Sequence, residues 1–280
     1  MITRQRFTAA AEPVTSSLAS LGSAFVGKMA FSAVAVMLLL ATAAQAQEDS
    51  ARRILKAMSD YVASQKTISL TFDTDIEVIT PEIQKIQFSS SGQVLLNRPD
   101  KLRASRTGGY ADVELVFDGK TATIFGKNVS AFAQIDSPGS IDALVDRLRT
   151  DYSIEMPGAD LLLARVYDEL IADVIDAKHI GQGVIDGVEC EHLAFRNAEV
   201  DWQLWVDAGA RPIPRKYVIT SKAVTGAPQY TVRIKQWTPD APVSADAFAF
   251  KPPADARKVE GAALRDIDEV PPGAIIGGRK

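Results

Sequence analysis

The sequence predicts a mainly β (α+β) domain in which one antiparallel sheet curves around a few helices. Three observations carry that expectation. Apolar and polar residues alternate along several runs, as in Ile68, Leu70, Phe72, Ile76 and Val78 against Ser69, Thr71, Asp73, Asp75 and Glu77, the mark of a strand with one dry and one wet face. Strand runs follow one another without a helix between each pair, so nothing calls for a parallel βαβ sheet. Helical stripes occur only before the first strand and midway along the chain.

The elements follow in order. Arg4, Arg6 and Lys28 precede an apolar run from Met29 to Ala41 and a small-x-small site at Ala44-Gln45-Ala46, so residues 1–46 read as a signal peptide cleaved after Ala46. The apolar run covers only about 20 Å of helix against a hydrocarbon core of roughly 30 Å, too short for a membrane anchor. Removing 1–46 takes away Arg4, Arg6, Lys28 and Glu12 and leaves 234 residues with a net charge of −6. From Asp49, Ile54, Leu55, Met58, Tyr61 and Val62 fall on one helical stripe. The period then switches to two. After the first strand, Ile86, Phe88, Val94 and Leu96 keep one phase, and Asn97-Arg98-Pro99-Asp100 ends the run before a short strand, LRAS. Asp118-Gly119 and Asp186-Gly187 sit between apolar runs as hairpin turns, since both residue types tolerate positive φ.

Midway, Ser140 caps a helix carrying Ile141, Leu144, Val145 and Leu148. A second helical run, 159–171, holds Leu161, Leu162, Leu163, Val166, Tyr167, Leu170 and Ile171 nearly all round, which predicts a helix enclosed on most sides. Strands resume with KHIGQGVI, VECEHLAFR, DWQLWVD, RKYVITSK and QYTVRIKQW, for nine to eleven in all. No linker divides the two strand sets, so 47–260 reads as a single domain. Residues 261–280 have no periodicity and read as a flexible tail.

Composition excludes several functions. One cysteine, Cys190, and two histidines, His179 and His192, are too few for a disulfide scaffold or a Cys₄ or Cys₂His₂ zinc site. A formal charge of −4 gives no reason to expect nucleic acid. The 47–280 stretch has neither a G-x-S-x-G elbow nor an H-E-x-x-H zinc helix, so neither an enzyme nor a cofactor is expected. Cys190 and His192 share a strand face and form at most half of a soft metal site; a buried thiol beside a hydrogen-bonded imidazole is the simpler account. Asp73, Asp75 and Glu77 are likewise the solvated side of a strand before they are cation ligands.

The order of pieces resembles the periplasmic lipoprotein-carrier (LolA/LolB) superfamily: signal peptide, helix, strands up to Leu-Asn-Arg-Pro-Asp-Lys-Leu-Arg (96–103), a Phe-Asp-Gly-Lys hairpin (117–120), central helices, then a second strand set. More narrowly, GVECEHLAFR (187–196), DWQLWVD (201–207), RPIPRKYVIT (211–220) and PQYTVRIKQW (228–237) resemble the predicted periplasmic family called domain of unknown function 2092. The likeness covers most of 48–257. It implies an unclosed antiparallel β-barrel with helices over its concave face and, in the lipoprotein carriers, an apolar cavity for acyl chains.

On that reading the protein is a non-enzymatic periplasmic carrier for an apolar or lipidated ligand. Its cavity candidates are the inward-phase Ile68, Leu70, Phe72, Ile76, Val78, Phe88 and Val94, Leu162 and Val166 of a lid formed by 159–171, and Trp202. Trp202 and Trp205 are three apart, so a regular strand sends them to opposite faces. The rival reading is an envelope protein-interaction or sensor module whose cavity is filled by its own side chains; a third is a metal or redox site at Cys190 and His192. One surface feature stands apart. Between Ala208 and Pro239, Arg211, Arg215, Lys216, Lys222, Arg233 and Lys235 occur with no acidic residue. This basic patch either faces an anionic headgroup or acidic partner, or compensates the acidic N-terminal strands across the sheet.

Overall fold

A computed structural model describes residues 45–260 and, beyond them, 267, 270 and 271. The signal peptide and most of the tail expected from sequence lie outside the described residues. Helix α1 occupies residues 45–64, with Ala51, Leu55, Met58 and Val62 fully buried. Strands β1 (Thr67–Ile79), β2 (Lys85–Asn97), β3 (Lys101–Gly108), β4 (Asp112–Phe117), β5 (Thr121–Gly126) and β6 (Ala131–Asp136) follow as a meander. Helices α2 (Ile141–Tyr152) and α3 (Val166–Ile171) come next, then β7 (Asp176–Ile185), β8 (Val188–Arg196), β9 (Val200–Asp207), β10 (Pro214–Ser221), β11 (Gln229–Pro239) and the two-residue β12 (Arg257–Lys258).

All twelve strands belong to one sheet in the order β12-β6-β5-β4-β3-β2-β1-β11-β10-β9-β8-β7. The two strand sets are joined by β1 pairing with both β2 and β11. The sheet is antiparallel except where β12, one strand beyond the expected count, pairs parallel with β6. Ile135 of β6 and Ala177 of β7 lie in one core cluster with Leu55 and Met58 of α1, although ten strand spacings of about 4.8 Å would part β6 and β7 by about 48 Å in a flat sheet. The sheet therefore curls around α1, and β6 and β7 stay unpaired with each other.

Local chemistry sets the ends of these elements. Ser140 Oγ accepts the Ala143 N–H, capping α2, whose Ile141, Leu144, Val145 and Leu148 are buried. Asp186 and Gly187 both take positive φ in the two-residue β7–β8 turn, the left-handed geometry a tight hairpin needs. The 159–171 run is corrected: it is a 3-10 turn (Ala159–Leu162), extended backbone at Leu163, and the six-residue α3. Long-range partners make the break possible. The Asp142 carboxylate accepts the Ala164 N–H at 3.0 Å, and Arg149 pairs with Asp160 at 2.6 Å, so the chain turns both Leu161 and Leu163 into the core without a continuous helix. Gly158 leads in at φ +88, where a Cβ would lie 3.1 Å from Val232 Cγ2.

After β11 the chain crosses the outer face of β3 to β6. Arg103 Nη1 donates to the Ala247 carbonyl at 3.1 Å, Phe250 packs on Phe125 and Phe132, and Ser130 Oγ donates to Asp255. From the expected tail, Ile267 packs against the core cluster and Val270 is buried.

Candidate functional site

Helices and core cluster define the inner face of the sheet, and the strand register divides that face into rows. Ile68, Leu96, Leu102, Phe117, Ala122 and Ile135 form the first row; Leu70, Val94, Ala104, Leu115, Ile124 and Ala133 form the second. Both belong to the core cluster or pack against it. This half is filled by the protein's own side chains.

The next rows are different. Phe72, Gly92, Arg106, Val113 and Gly126 align across β1 to β5. The Phe72 ring lies over Gly92, where any Cβ would come within 2.3 Å of it; only glycine permits that approach. Beyond lie Val232, Thr74 and Ser90, then Tyr230, Ile76 and Phe88. Along β2 exposure climbs from the fully buried Leu96 through Val94 and the part-exposed Phe88 to Ile86 at 36%. Along β2 the inner face thus opens progressively while remaining largely apolar, whereas on β1 Thr74 and Val78 stay buried beside the part-exposed Phe72 and Ile76.

Two hydroxyls punctuate it. Thr74 is only 2% exposed and its Oγ1 is 2.8 Å from Ser90 Oγ. Burial pushes the Tyr230 phenol up, while a hydrogen bond with Thr74 and the Arg106 charge act the other way.

The ten cavity candidates fall into two groups. Ile68, Leu70, Val78, Val94, Val166 and Trp202 are buried. Phe72, Ile76, Phe88 and Leu162 are part-exposed. Trp202 is stacked 3.9 Å from Phe195, edge-on to Tyr217, and donates through Nε1 to Asn197. Trp205 lies on the opposite face, stacked 4.1 Å from His192. Sequence reading missed Arg106, Thr74 and Ser90. For Arg106 the signal was present: it continues the phase of Leu102 and Ala104, but the strand was expected to end at Ser105, whereas β3 runs to Gly108.

The basic stretch is largely paired, and by acids other than those of the N-terminal strands. Arg215 meets Asp207 at 2.7 Å, Lys222 meets Asp201 at 3.0 Å, and Lys235 and Arg233 converge on Asp186 at 2.9 and 3.7 Å. Lys235's hydrogen bond, then the charges of Lys235, Arg233 and Arg215, hold the Asp186 carboxyl below its usual range. Lys216 Nζ sits 4.9 Å over the Trp205 ring, its pKa lowered by burial and by Arg233. Arg211 is exposed. Asp73 and Asp75 instead accept from Ser91 and Ser89, and Glu77 pairs with Lys85 at 2.9 Å.

The remaining reactive groups are engaged in the fold. Cys190 is buried, its thiol pushed up by burial and by Asp207, with Sγ donating to the Val188 carbonyl. His192 Nε2 is 2.9 Å from Gln203. His179 lies between Ser50 Oγ (3.3 Å, at Nδ1) and Glu191 (2.6 Å, at Nε2), tying α1 to the β7–β8 hairpin. Among the described residues no three potential ligands group around a cation position, and no helix is long and apolar enough to cross a membrane.

The family model described as Predicted periplasmic protein (DUF2092) matches residues 51–261, in line with the resemblance read from 187–237. No curated protein matches the chain. Among solved structures, an uncharacterized conserved protein from Thermus thermophilus is similar at 12% identity and TM-score 0.46, covering 75% of this chain and 99% of that one. LprF from Mycobacterium bovis is similar at 14% identity and TM-score 0.45, covering 75% and 99%. The Mycobacterium tuberculosis lipoprotein LppX is similar at 13% identity and TM-score 0.36, covering 71% and 100%.

Proposed function

The chain belongs to the DUF2092 family of predicted periplasmic proteins, and from that premise we propose that it is a non-enzymatic periplasmic carrier that shelters the acyl part of an apolar or lipidated ligand between curved sheet and helices. The observation that carries this reading is the part-exposed apolar stretch of the inner face. Phe72, Ile76 and Phe88 share the face of the core yet remain part-exposed, where a soluble domain ordinarily completes its burial. Each methylene moved from water onto that face contributes about 0.8 kcal/mol. The segment between α2 and α3 is a short 3-10 turn and extended backbone rather than a long helix; on this reading uptake and release shift that segment and withdraw Leu161 and Leu163 from the core.

The test is native mass spectrometry together with solvent extraction of the protein purified from periplasm. The carrier reading expects a bound lipid mass that the extract reproduces; a mass equal to the polypeptide alone and an empty extract would count against it.

One observation favours a second reading, an envelope protein-interaction module. While β12 covers one edge of the sheet, the other edge, β7, and its approach carry Ile175, Ile180 and Val184 at 69, 54 and 65% exposure, and an uncovered edge strand is a template for pairing with another chain. That reading expects crosslinking to an envelope protein that is lost in an Ile180→Lys, Val184→Lys variant.

A further inference from the structure

We propose that the C-terminal segment carrying Ile267 and Val270 is an internal plug of the open inner face, holding the place of a ligand and yielding it when one binds. This rests on the carrier reading above and adds how that site is regulated.

The route of the chain leads there. Phe250 packs on Phe125 and Phe132 at the outer surface of the sheet, and β12 then lies along β6 at the sheet's edge. Past that edge the chain faces the core: the Val259 N–H donates to the Phe132 carbonyl at 2.9 Å, and the Val259 side chain packs against the core cluster. The strap therefore wraps round the β6 edge from outside to inside before it reaches Ile267 and Val270.

Ile267 is seated on the row that begins at Phe72. Arg106, Val113 and Gly126 align on that row, Arg106 Nη2 donates to the Ile267 carbonyl at 2.6 Å, and a Cβ added to Gly126 would lie 3.2 Å from Ile267 Cγ2. The glycine leaves the lining open at that point and the isoleucine fills it, while Val270 is buried at 3% exposure. An aliphatic side chain on this row has the chemistry of an acyl chain, so plug and ligand compete for one apolar surface. The attachment is also of a kind that can let go. Ile267 lies in neither helix nor strand and is held by side-chain packing and a side-chain donor, whereas β1 to β6 are held to one another by backbone ladders. Segments held in that way open at lower cost than the strands beneath them, and a site open in only a fraction of molecules binds with its affinity reduced by that fraction.

The test is a cysteine latch in the full chain. Gly126→Cys with Ile267→Cys brings two thiols within reach of a disulfide, whose Cβ atoms stand about 3.8 Å apart, while Cys190 is buried. Binding of the neutral dye 1-aminoanthracene, and its displacement by oleate, is measured with the latch oxidised and reduced. Oxidation is expected to weaken dye binding at least about tenfold and reduction to restore it. Gly126→Cys alone, which crowds Val129 as the pair does, shows no redox dependence. Ile267→Ser frees the seat and is expected to bind the dye about tenfold more tightly than the wild type, the gain for a site otherwise open in about one molecule in ten. A latch that forms and binds as well as its reduced form overturns the plug and leaves the carrier reading standing, as does a folded Ile267→Ser with wild-type affinity. Two cysteines that do not join on oxidation refute the seating of Ile267 and with it the plug. Failure of dye and oleate to bind to the wild type, the reduced latch and Ile267→Ser alike overturns both readings.

Discussion

Truncating one residue in each half of the inner face separates a filled core from an open lining. Leu55 of α1 is fully buried in the core cluster, so Leu55→Ala leaves a cavity that the curled sheet closes only in part, at a cost of about 2–5 kcal/mol. For a chain of this size that lowers Tm by about 4–20 °C, at roughly 2–4 °C for each kcal/mol. Phe88 lies on the same face but is part-exposed and outside the core cluster, so Phe88→Ala is expected to cost less than half as much. Its effect should appear in binding instead. Losing about 50 Å² of ring contact with an acyl chain, at about 25 cal/mol per Å², amounts to about 1.3 kcal/mol, close to a tenfold weaker affinity. The assays are thermal unfolding followed by tryptophan fluorescence and titration with 1-aminoanthracene. Equal destabilisation by the two variants, or an unchanged dye affinity in Phe88→Ala, would refute the division of the face into two halves.

Three further outcomes follow from the geometry. Ser140→Ala removes the acceptor for the Ala143 N–H and should destabilise by about 1 kcal/mol in urea unfolding. Cys190 should react with Ellman's reagent only slowly in the native protein and fully in denaturant, because burial raises the thiol and limits access. Asp186 has a lowered pKa in the folded state, so its contribution is present above the ordinary carboxylate range and is lost as pH falls through the folded value, below about 4. The pairs it forms are well exposed, so Asp186→Asn should cost under about 1 kcal/mol at pH 7 and nothing measurable in 1 M salt.

How much of this was legible depends on the range of the cause. The β1 alternation, the Ser140 cap and the Asp186-Gly187 turn are local, and each is written within a few residues of where it acts. The 159–171 run misled because its apolar pattern suits a helix, while the partners that make the break possible, Asp142 and Arg149, belong to α2. The basic stretch had no acid in its own sequence, and its partners Asp186, Asp201 and Asp207 arrive only when β7 to β11 pair. The strap over β3 to β6 was invisible for a similar reason. Phe248, Phe250 and Asp255 stand apart in the sequence, with no period to betray them. Within the candidate site, alternation identified Phe72, Ile76 and Phe88, whereas the filling of the first two rows by α1 and α2 depends on packing that no periodicity reports.

The central claim is that an acyl chain lies along the open half of the inner face. The most direct measurement is methyl NMR of the isoleucines with a stearic acid that carries a nitroxide near its carboxyl end. The account predicts strong broadening of Ile76, with Ile83, Ile175 and Ile180, which are exposed elsewhere, left sharp. Broadening centred on Ile175 and Ile180 along the β7 edge, or no broadening at all, would contradict it.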